Sequence, residues 1–360
     1  MTTRATDDLL IDLPPGRTPR RPELESELRT GIRSGRLRAG SQLPSSRSLA
    51  DQLGVSRGVV VAAYSQLAAE GYVIARHGSG TQVAAVNPAE PREAQPSPQA
   101  NYQFDFNPGT PDLERFPRSS WKHATRRALD RVPTAQLGYA DPVGAPELRR
   151  ALAGHLARSR RAAGDATSIM ITAGFVQAFG LVCGVLKASG ATTIAIEEPG
   201  WFVARAIAIH NGLTPIPVPV DGEGLRTDLL RRTRAQAVYL TPAHQYPTGA
   251  VLSAERRADL VQWADAQAAI VVEDDYDAEY RYDRRPIGCL QGLAPERVIY
   301  IGSASKILAP GLRLGWLVVP DRLLAPLTMH KTLADAGCPT LDQLVLADLI
   351  ESGELSRHLH

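Results

Sequence analysis

Lysine is scarce in this chain of 360 residues: only Lys122, Lys187, Lys306 and Lys331 occur. Lys306 stands in YIGSASKILAPGLRLGW, just after an apolar run that reads as a buried strand and two small hydroxyl residues. An amine placed there is partly desolvated, which lowers its pKa and favours the neutral form that attacks a carbonyl. Ser303 and Ser305 are near enough to donate to a phosphate. Arg313, with Pro310-Gly311 between it and the lysine, adds a guanidinium able to grip one bidentately. A second apolar run ends in acids, AIVVEDDYDAEYRY (269–282). If that strand continues, alternation puts Asp274 and Tyr276 on one side. The plainer readings are an acidic loop or metal ligands, and the segment has no histidine beside it to favour a metal.

Further motifs sit at other predicted strand ends. TAGFVQAF (172–179) opens a helix whose first backbone N–H groups, at Gly174, Phe175 and Val176, make a natural phosphate seat. EEPGWFVAR (197–205) places Trp201 after a Pro-Gly turn, where its ring can stack on a flat ligand or pack as core. TPAHQYPTG (241–249) brings His244 and Tyr246 to another strand end. Together these groups meet the four demands of pyridoxal 5'-phosphate. The aldehyde needs a lysine amine, the pyridine nitrogen a carboxylate, the 3-oxygen a hydrogen-bond donor, and the phosphate several donors. Lys306 answers the first, Asp274 the second with Asp275 as the alternative, Tyr276 the third, and the 174–176 turn with Ser303, Ser305 and Arg313 the fourth.

The elements that must position these groups read as an α/β domain. Apolar strands are expected at 168–172, 192–197, 237–241, 269–274, 298–302 and 315–320, with helices near 145–160, 174–188, 201–211 and 254–267. Buried strands alternating with helices imply a largely parallel sheet covered on both faces, with its ligand crevice at the carboxyl ends of the strands. Ahead of this domain lies a segment of different texture. From 29 to 81, seven arginines face two acids, a local charge of +5 in a chain whose net charge is +2. Such a compact basic segment fits a phosphate backbone, although a solvated surface would show the same charge.

In that segment, Ser45 or Ser46 can cap a short helix carrying Leu49, Ala50 and Leu53 on one face, and Gly54 supplies the left-handed residue that ends it. Ser56 caps the next helix, with Val60, Ala63, Tyr64 and Leu67 at core spacing and Arg57 at the leading end. This is helix-turn-helix logic, in which the second helix enters the major groove. A strand pair interrupted by Arg76-His77-Gly78-Ser79-Gly80 would form a wing. The proline-bearing stretch NPAEPREAQPSPQA reads as a linker. The domains are therefore expected at 18–84, 102–360, and a linker at 85–101.

Three well-separated cysteines suit reduced thiols, and the N-terminus lacks the apolar run of a signal peptide, so a cytoplasmic protein is expected. No metal is expected.

Through GRLRAGSQLPSSRSLADQLGVSR and EGYVIARHGSGTQV, the first domain resembles the winged helix of GntR-type regulators. The resemblance implies that Arg47, Ser56, Arg57, Arg76, His77, Gly78 and Gly80 contact double-stranded DNA. Gly58-Val59 departs from the polar pair usual after Ser-Arg. Through YADPVGAPELR, TPAHQYPTG, EDDYDAEYRY and GSASKILAPGLRLGW, the second domain resembles the fold-type I aminotransferases, and the whole chain the MocR branch of GntR regulators. That resemblance implies Lys306 as the lysine joined to the cofactor, Asp274 as the nitrogen partner and Tyr276 as the 3-oxygen partner. It also implies that Trp201 replaces a usual tyrosine, that Tyr246 stands where aminotransferases have asparagine, and that Ser303-Ala304 replaces Thr-Phe. Arg205 is the candidate for an effector carboxylate. The chain ends within what resembles the start of the small C-terminal domain, so that domain is expected to be incomplete. The expected function is a homodimeric regulator that responds to pyridoxal phosphate, or to its adduct with an amine or amino acid. The competing readings are a catalytic aminotransferase with an accessory winged helix, and a regulator whose second domain has lost its cofactor. Residual transamination stays open.

Overall fold

A computed structural model of the protein describes residues 20–76, 80–85, 109–277, 279 and 287–359. The chain divides into two compact units, Met1–Gln103 and Phe104–His360.

The first unit holds α1 (Arg21–Arg33), α2 (Ser46–Leu53), α3 (Arg57–Ala69), β1 (Val73–Arg76) and β2 (Gly80–Val83). Pro22 and Glu23 open α1, the Glu23 carboxylate accepting from the Arg20 N–H. Ser45 caps α2, its hydroxyl accepting from the Ser48 N–H, and Gly54 ends that helix at φ 66°. Ser56 occupies the cap position of α3, but its hydroxyl makes no capping bond, contrary to expectation. Leu49 and Ala50 pack with Val60, Ala63, Tyr64 and Leu67 in one core, against which Leu53 also rests. The two strands pair antiparallel from Val73–Val83 to Arg76–Gly80, giving the two arms of the wing. His77 and Gly78, which the expected wing places between these strands, lie outside the described residues, as does nearly all of the expected linker.

The second unit runs α4 (Arg118–Arg131), α5 (Pro146–Ser159), β3 (Ile169–Thr172), α6 (Phe175–Ala188), β4 (Thr193–Glu198), α7 (Phe202–His210), β5 (Thr214–Asp221) and β6 (Gly224–Leu225). It continues α8 (Thr227–Leu230), β7 (Ala237–Leu240), α9 (Ala254–Ala266), β8 (Ile270–Asp275), β9 (Val298–Ser303), α10 (Ala304–Ile307) and β10 (Gly315–Val318). Three more helices follow: α11 (Asp321–Asp335), α12 (Thr340–Glu351) and α13 (Glu354–Leu359). The sheet order is β3-β10-β9-β8-β7-β4-β5-β6. The pairs β9–β8, β8–β7, β7–β4 and β4–β5 are parallel, whereas β10 is antiparallel to both neighbours and β6 to β5. The sheet is mixed and mostly parallel.

Side-chain alternation along the strands builds two cores. Ile194, Ile196, Tyr239, Ile270, Val272 and Ile301 face α6, α7 and α11 on one side. Val238, Val271 and Val298, with Ile169, Ile171, Tyr300 and Trp316, face α5, α9 and α12 on the other. Both faces are covered, which is why the central strands are nearly continuous apolar runs. The parallel strands all end at one edge, and β10, running the other way, begins there: Gly315 pairs with both Thr172 and Ser303.

Candidate functional site

That edge gathers the chemistry. Asp274 is buried at the end of β8, and the Tyr239 hydroxyl on β7 donates to its Oδ2 at 2.7 Å. Strand β8 ends at Asp275, so Tyr276 lies one residue beyond it rather than on the expected alternation. Asp275 turns to the opposite face, where it accepts from Arg160 Nε at 2.6 Å and Tyr300 at 2.8 Å. It is thereby committed, and Asp274 is the acid left facing the crevice.

Lys306 stands in α10, half-buried, and its Nζ donates to the Gly109 carbonyl. Burial lowers its pKa, opposed by the charges of Asp277 and Asp274. Ser303 caps α10, its Oγ accepting from the Ser305 N–H at 3.0 Å. Tyr276 is half-buried, its hydroxyl 3.4 Å from His244 Nδ1 and its ring edge-on to Tyr246 at 6.5 Å. Burial, and then Asp277 and Asp274, push the Tyr276 phenol pKa up, so the phenol keeps its proton as a donor.

The opposite wall begins at the α6 N-terminus. Gly174 sits at φ 88°, and no side chain caps the helix there. A Cβ at Gly174 would lie 3.4 Å from the Arg313 guanidinium, which donates to the Ala173 carbonyl at 2.5 Å. Helix N–H groups and a guanidinium thus come together beside Gly174, with Ser303 brought alongside through its pairing with Gly315. The Phe175 ring packs against Trp201 at 5.0 Å and against Tyr239 at 5.8 Å, which leads back to Asp274. Val176 is exposed beside it. Arg205 donates to Glu198 and is paired there rather than free for a ligand.

Several members of the site escaped the sequence reading. Tyr239, Gly109 and Asp277 become neighbours of Asp274 and Lys306 only through folding, and no local spacing announces them. Beneath them, buried Glu197 accepts from the Thr241 N–H and hydroxyl and from Gln245.

Burial pushes the Asp274 pKa up to about 7, against the hydrogen bond from Tyr239, and raises Glu197 and Glu273 to about 7 as well. These folded-state values exceed those of the unfolded chain, so the stability they contribute is complete below about pH 4 and lost as the pH climbs through about 7. The protein without added ligand should therefore melt at falling temperature from about pH 5 to pH 8, and Asp274→Asn should flatten that trend. Calorimetry across this range checks it; an identical slope in the variant would show that Asp274 does not titrate between pH 5 and pH 8.

In the first unit, Arg47, Ser56 and Arg57 are exposed, and Arg57 Nε reaches Ser46 Oγ at 3.4 Å. Val61, one turn after Arg57, is 45% exposed on the leading helix. Its signal was present: an apolar residue at i+4 from a base, off the core positions. Gly80 lies at φ 86° under the Gln42 side chain, where a Cβ would come within 2.8 Å of Nε2. Arg76 closes β1 opposite Gly80.

Residues 21–83 match the family described as bacterial regulatory proteins, gntR family, and residues 102–352 match aminotransferase class I and II. The chain is 35% identical over 363 residues to the HTH-type pyridoxine biosynthesis transcriptional regulator PdxR of Corynebacterium glutamicum, covering 97% of this chain and 78% of that protein. It is 32% identical over 365 residues to the probable rhizopine catabolism regulatory protein MocR of Rhizobium meliloti, covering 94% and 73% respectively. Among solved structures, the kynurenine aminotransferase of Pyrococcus horikoshii superposes with a TM-score of 0.64 at 27% identity. The match covers 70% of this chain and only 64% of that enzyme. A winged helix-turn-helix and an aminotransferase-type sheet in one chain, matched over nearly all of its length by such regulators, place it in the MocR branch of the GntR family of HTH-type transcription regulators.

Proposed function

We propose that this regulator binds pyridoxal 5'-phosphate in the crevice at the sheet edge and responds there to the cofactor, or to its adduct with an amine or amino acid. What carries the reading is the convergence of a partly buried lysine, a buried acid, a protonated phenol and a glycine-lined helix N-terminus under a guanidinium. The donor set fits this cofactor point by point. Lys306 would hold the aldehyde, Asp274 the ring nitrogen and Tyr276 the 3-oxygen. The N–H groups of Gly174, Phe175 and Val176, with Ser303, Ser305 and Arg313, would hold the phosphate. Trp201 and Tyr246 would flank the ring. When bound, the cofactor supplies an aldehyde that condenses with amines.

Arg205 would serve an effector carboxylate only by exchanging Glu198 for it. In the first unit, Arg47, Ser56, Arg57, Arg76, His77, Gly78 and Gly80 would contact DNA, with Val61 placed to meet a thymine methyl. We set the domains at 18–84 and 102–360, with a linker at 85–101. A homodimer is supported by Val176 and Phe202, large apolar side chains left exposed beside Phe175 and Trp201. No helix among the described residues is long and apolar enough to cross a membrane; a cytoplasmic location belongs to the same proposal.

The experiment is a titration of labelled duplex DNA with the cofactor-loaded protein, with and without candidate amines, followed by anisotropy and the absorption spectrum together. An amine that shifts the spectrum should also change DNA affinity by about 5- to 150-fold, the usual range of a coupling free energy. Arg57→Ala should weaken binding by ~1–3 kcal/mol if the arginine reads a base. Sustained transamination of common amino acids with no coupling to DNA would instead favour a catalyst.

A further inference from the structure

The second unit carries a basic face that the site does not use. Helix α4, RSSWKHATRRALDR, holds five bases against one acid, a local charge of +4, although everything outside 29–81 sums to −3. Two of the five bases are engaged. Arg127 pairs with Asp348 at 2.5 Å, and Arg131 lies 3.8 Å from the same carboxylate. The other three, Arg118, Lys122 and Arg126, are exposed and have no ion-pair partner among the described residues.

Their spacing is i, i+4, i+8, so they stack along one face of the helix. The opposite face is small and apolar: Ala124 and Ala128 are buried in the core that α12 also builds. Packing of that inner face therefore fixes where the outer charges point. Like charges one turn apart repel by a few tenths of a kcal/mol per pair, a cost that a row of external anions would reverse. Several other bases on this unit are matched: Arg226 with Asp228, Arg231 with Asp259, Arg256 with Asp221, Arg297 with Asp265. The α4 row sets three unmatched bases on one helix face.

We propose that the exposed face of α4 is a second contact for duplex DNA, gripping backbone phosphates that flank the site read by the winged helix. The three charges advance about 12 Å along the helix, a length over which one DNA strand presents three to four phosphates at ~3.4 Å each. The partner is already required by the first unit. The 23 residues from 86 to 108 allow a covalent span of up to roughly 75 Å, enough for both units to engage one duplex over about two helical turns. The contact is sequence-independent, since it touches phosphate alone.

The test uses the full chain and fluorescein-labelled duplexes of mixed sequence, one of about one helical turn and one of about five, with affinity measured by anisotropy across a salt series. Each lost phosphate contact lowers the slope of log affinity against log salt by about 0.9. Arg118→Gln/Lys122→Gln/Arg126→Gln should reduce the slope on the long duplex by about 2 to 3, weaken binding there on the order of tenfold, and leave the short duplex unchanged. Arg118→Lys/Arg126→Lys, which keeps the charge, should retain the wild-type slope and so excludes a folding defect as the cause. A wild-type slope for the triple variant on the long duplex overturns the proposal, and so does an equal loss on both lengths. A stripe serving an acidic protein instead would give the first of these results.

Discussion

Replacing Lys306 with alanine should leave a folded, DNA-binding protein that no longer develops the absorption band of bound pyridoxal phosphate. Lys306 is the one lysine at the crevice: Lys331 is fully buried against Asp335 in α11, Lys187 is exposed in the last turn of α6, and Lys122 is exposed on α4. The desolvation that lowers the Lys306 pKa is what makes its amine available near neutral pH. Without it, the phosphate seat and Asp274 would still attract the cofactor, but retention should weaken by roughly a hundredfold or more, equivalent to ~3 kcal/mol. Equilibrium dialysis with absorbance at each step measures this. An unchanged band in Lys306→Ala would remove the residue from the site.

The second large effect lies beneath the site. Arg160 and Asp275 are both about 2% exposed and joined at 2.6 Å, with Tyr300 donating to the same carboxylate oxygen. Arg160 also donates to the Ile287 carbonyl at 2.8 Å. Removing one partner of a buried pair strands the other charge, at a cost of ~3–5 kcal/mol. Arg160→Met should therefore lower the melting temperature by about 10 °C. It should also loosen the end of β8, where Asp274 is held, and so weaken cofactor retention. Arg160→Met/Asp275→Leu should recover most of the stability, because the stranded carboxylate is gone. A single variant as stable as the parent would mean that Asp275 folds protonated and carries no charge to strand.

Much of this architecture was legible in the chain. The buried strands from 168 to 320 were placed to within two residues because, covered on both faces, they are continuous apolar runs bounded by turns. β5 escaped. Its sequence, TPIPVPVD, places proline at 215, 217 and 219, which argues against a strand. In the fold, the Thr214 N–H points to β4, so the alternate residues that lack an N–H face the other edge, where β6 pairs only at Val220 and Asp221. α11 escaped for a related reason: Pro326 interrupts a helix that tertiary packing through Leu327 and Lys331 sustains. α12, met in sequence as the start of another domain, packs on α4 and α5 within the core of this one, and its Gln343 accepts from the Ala145 N–H at 2.7 Å.

At the site, residues named by motif were found at the expected edge, while those recruited from distant strands were not foreseen. Asp274 could be named from a carboxylate run, but not Tyr239, whose hydroxyl holds it from 35 residues away. Asp275 looked equivalent in sequence and is not, because one step along a strand reverses the face. Ser56 looked like a cap by its position, yet its hydroxyl makes no capping bond at the leading end of α3.

The most direct measurement is borohydride reduction of the protein saturated with pyridoxal phosphate, followed by peptide mapping of the phosphopyridoxyl mark. The mark should fall on Lys306 at close to one per chain and be absent from Lys122, Lys187 and Lys331. A mark spread over the exposed lysines, or none on the peptide carrying Lys306, would contradict the cofactor site described here.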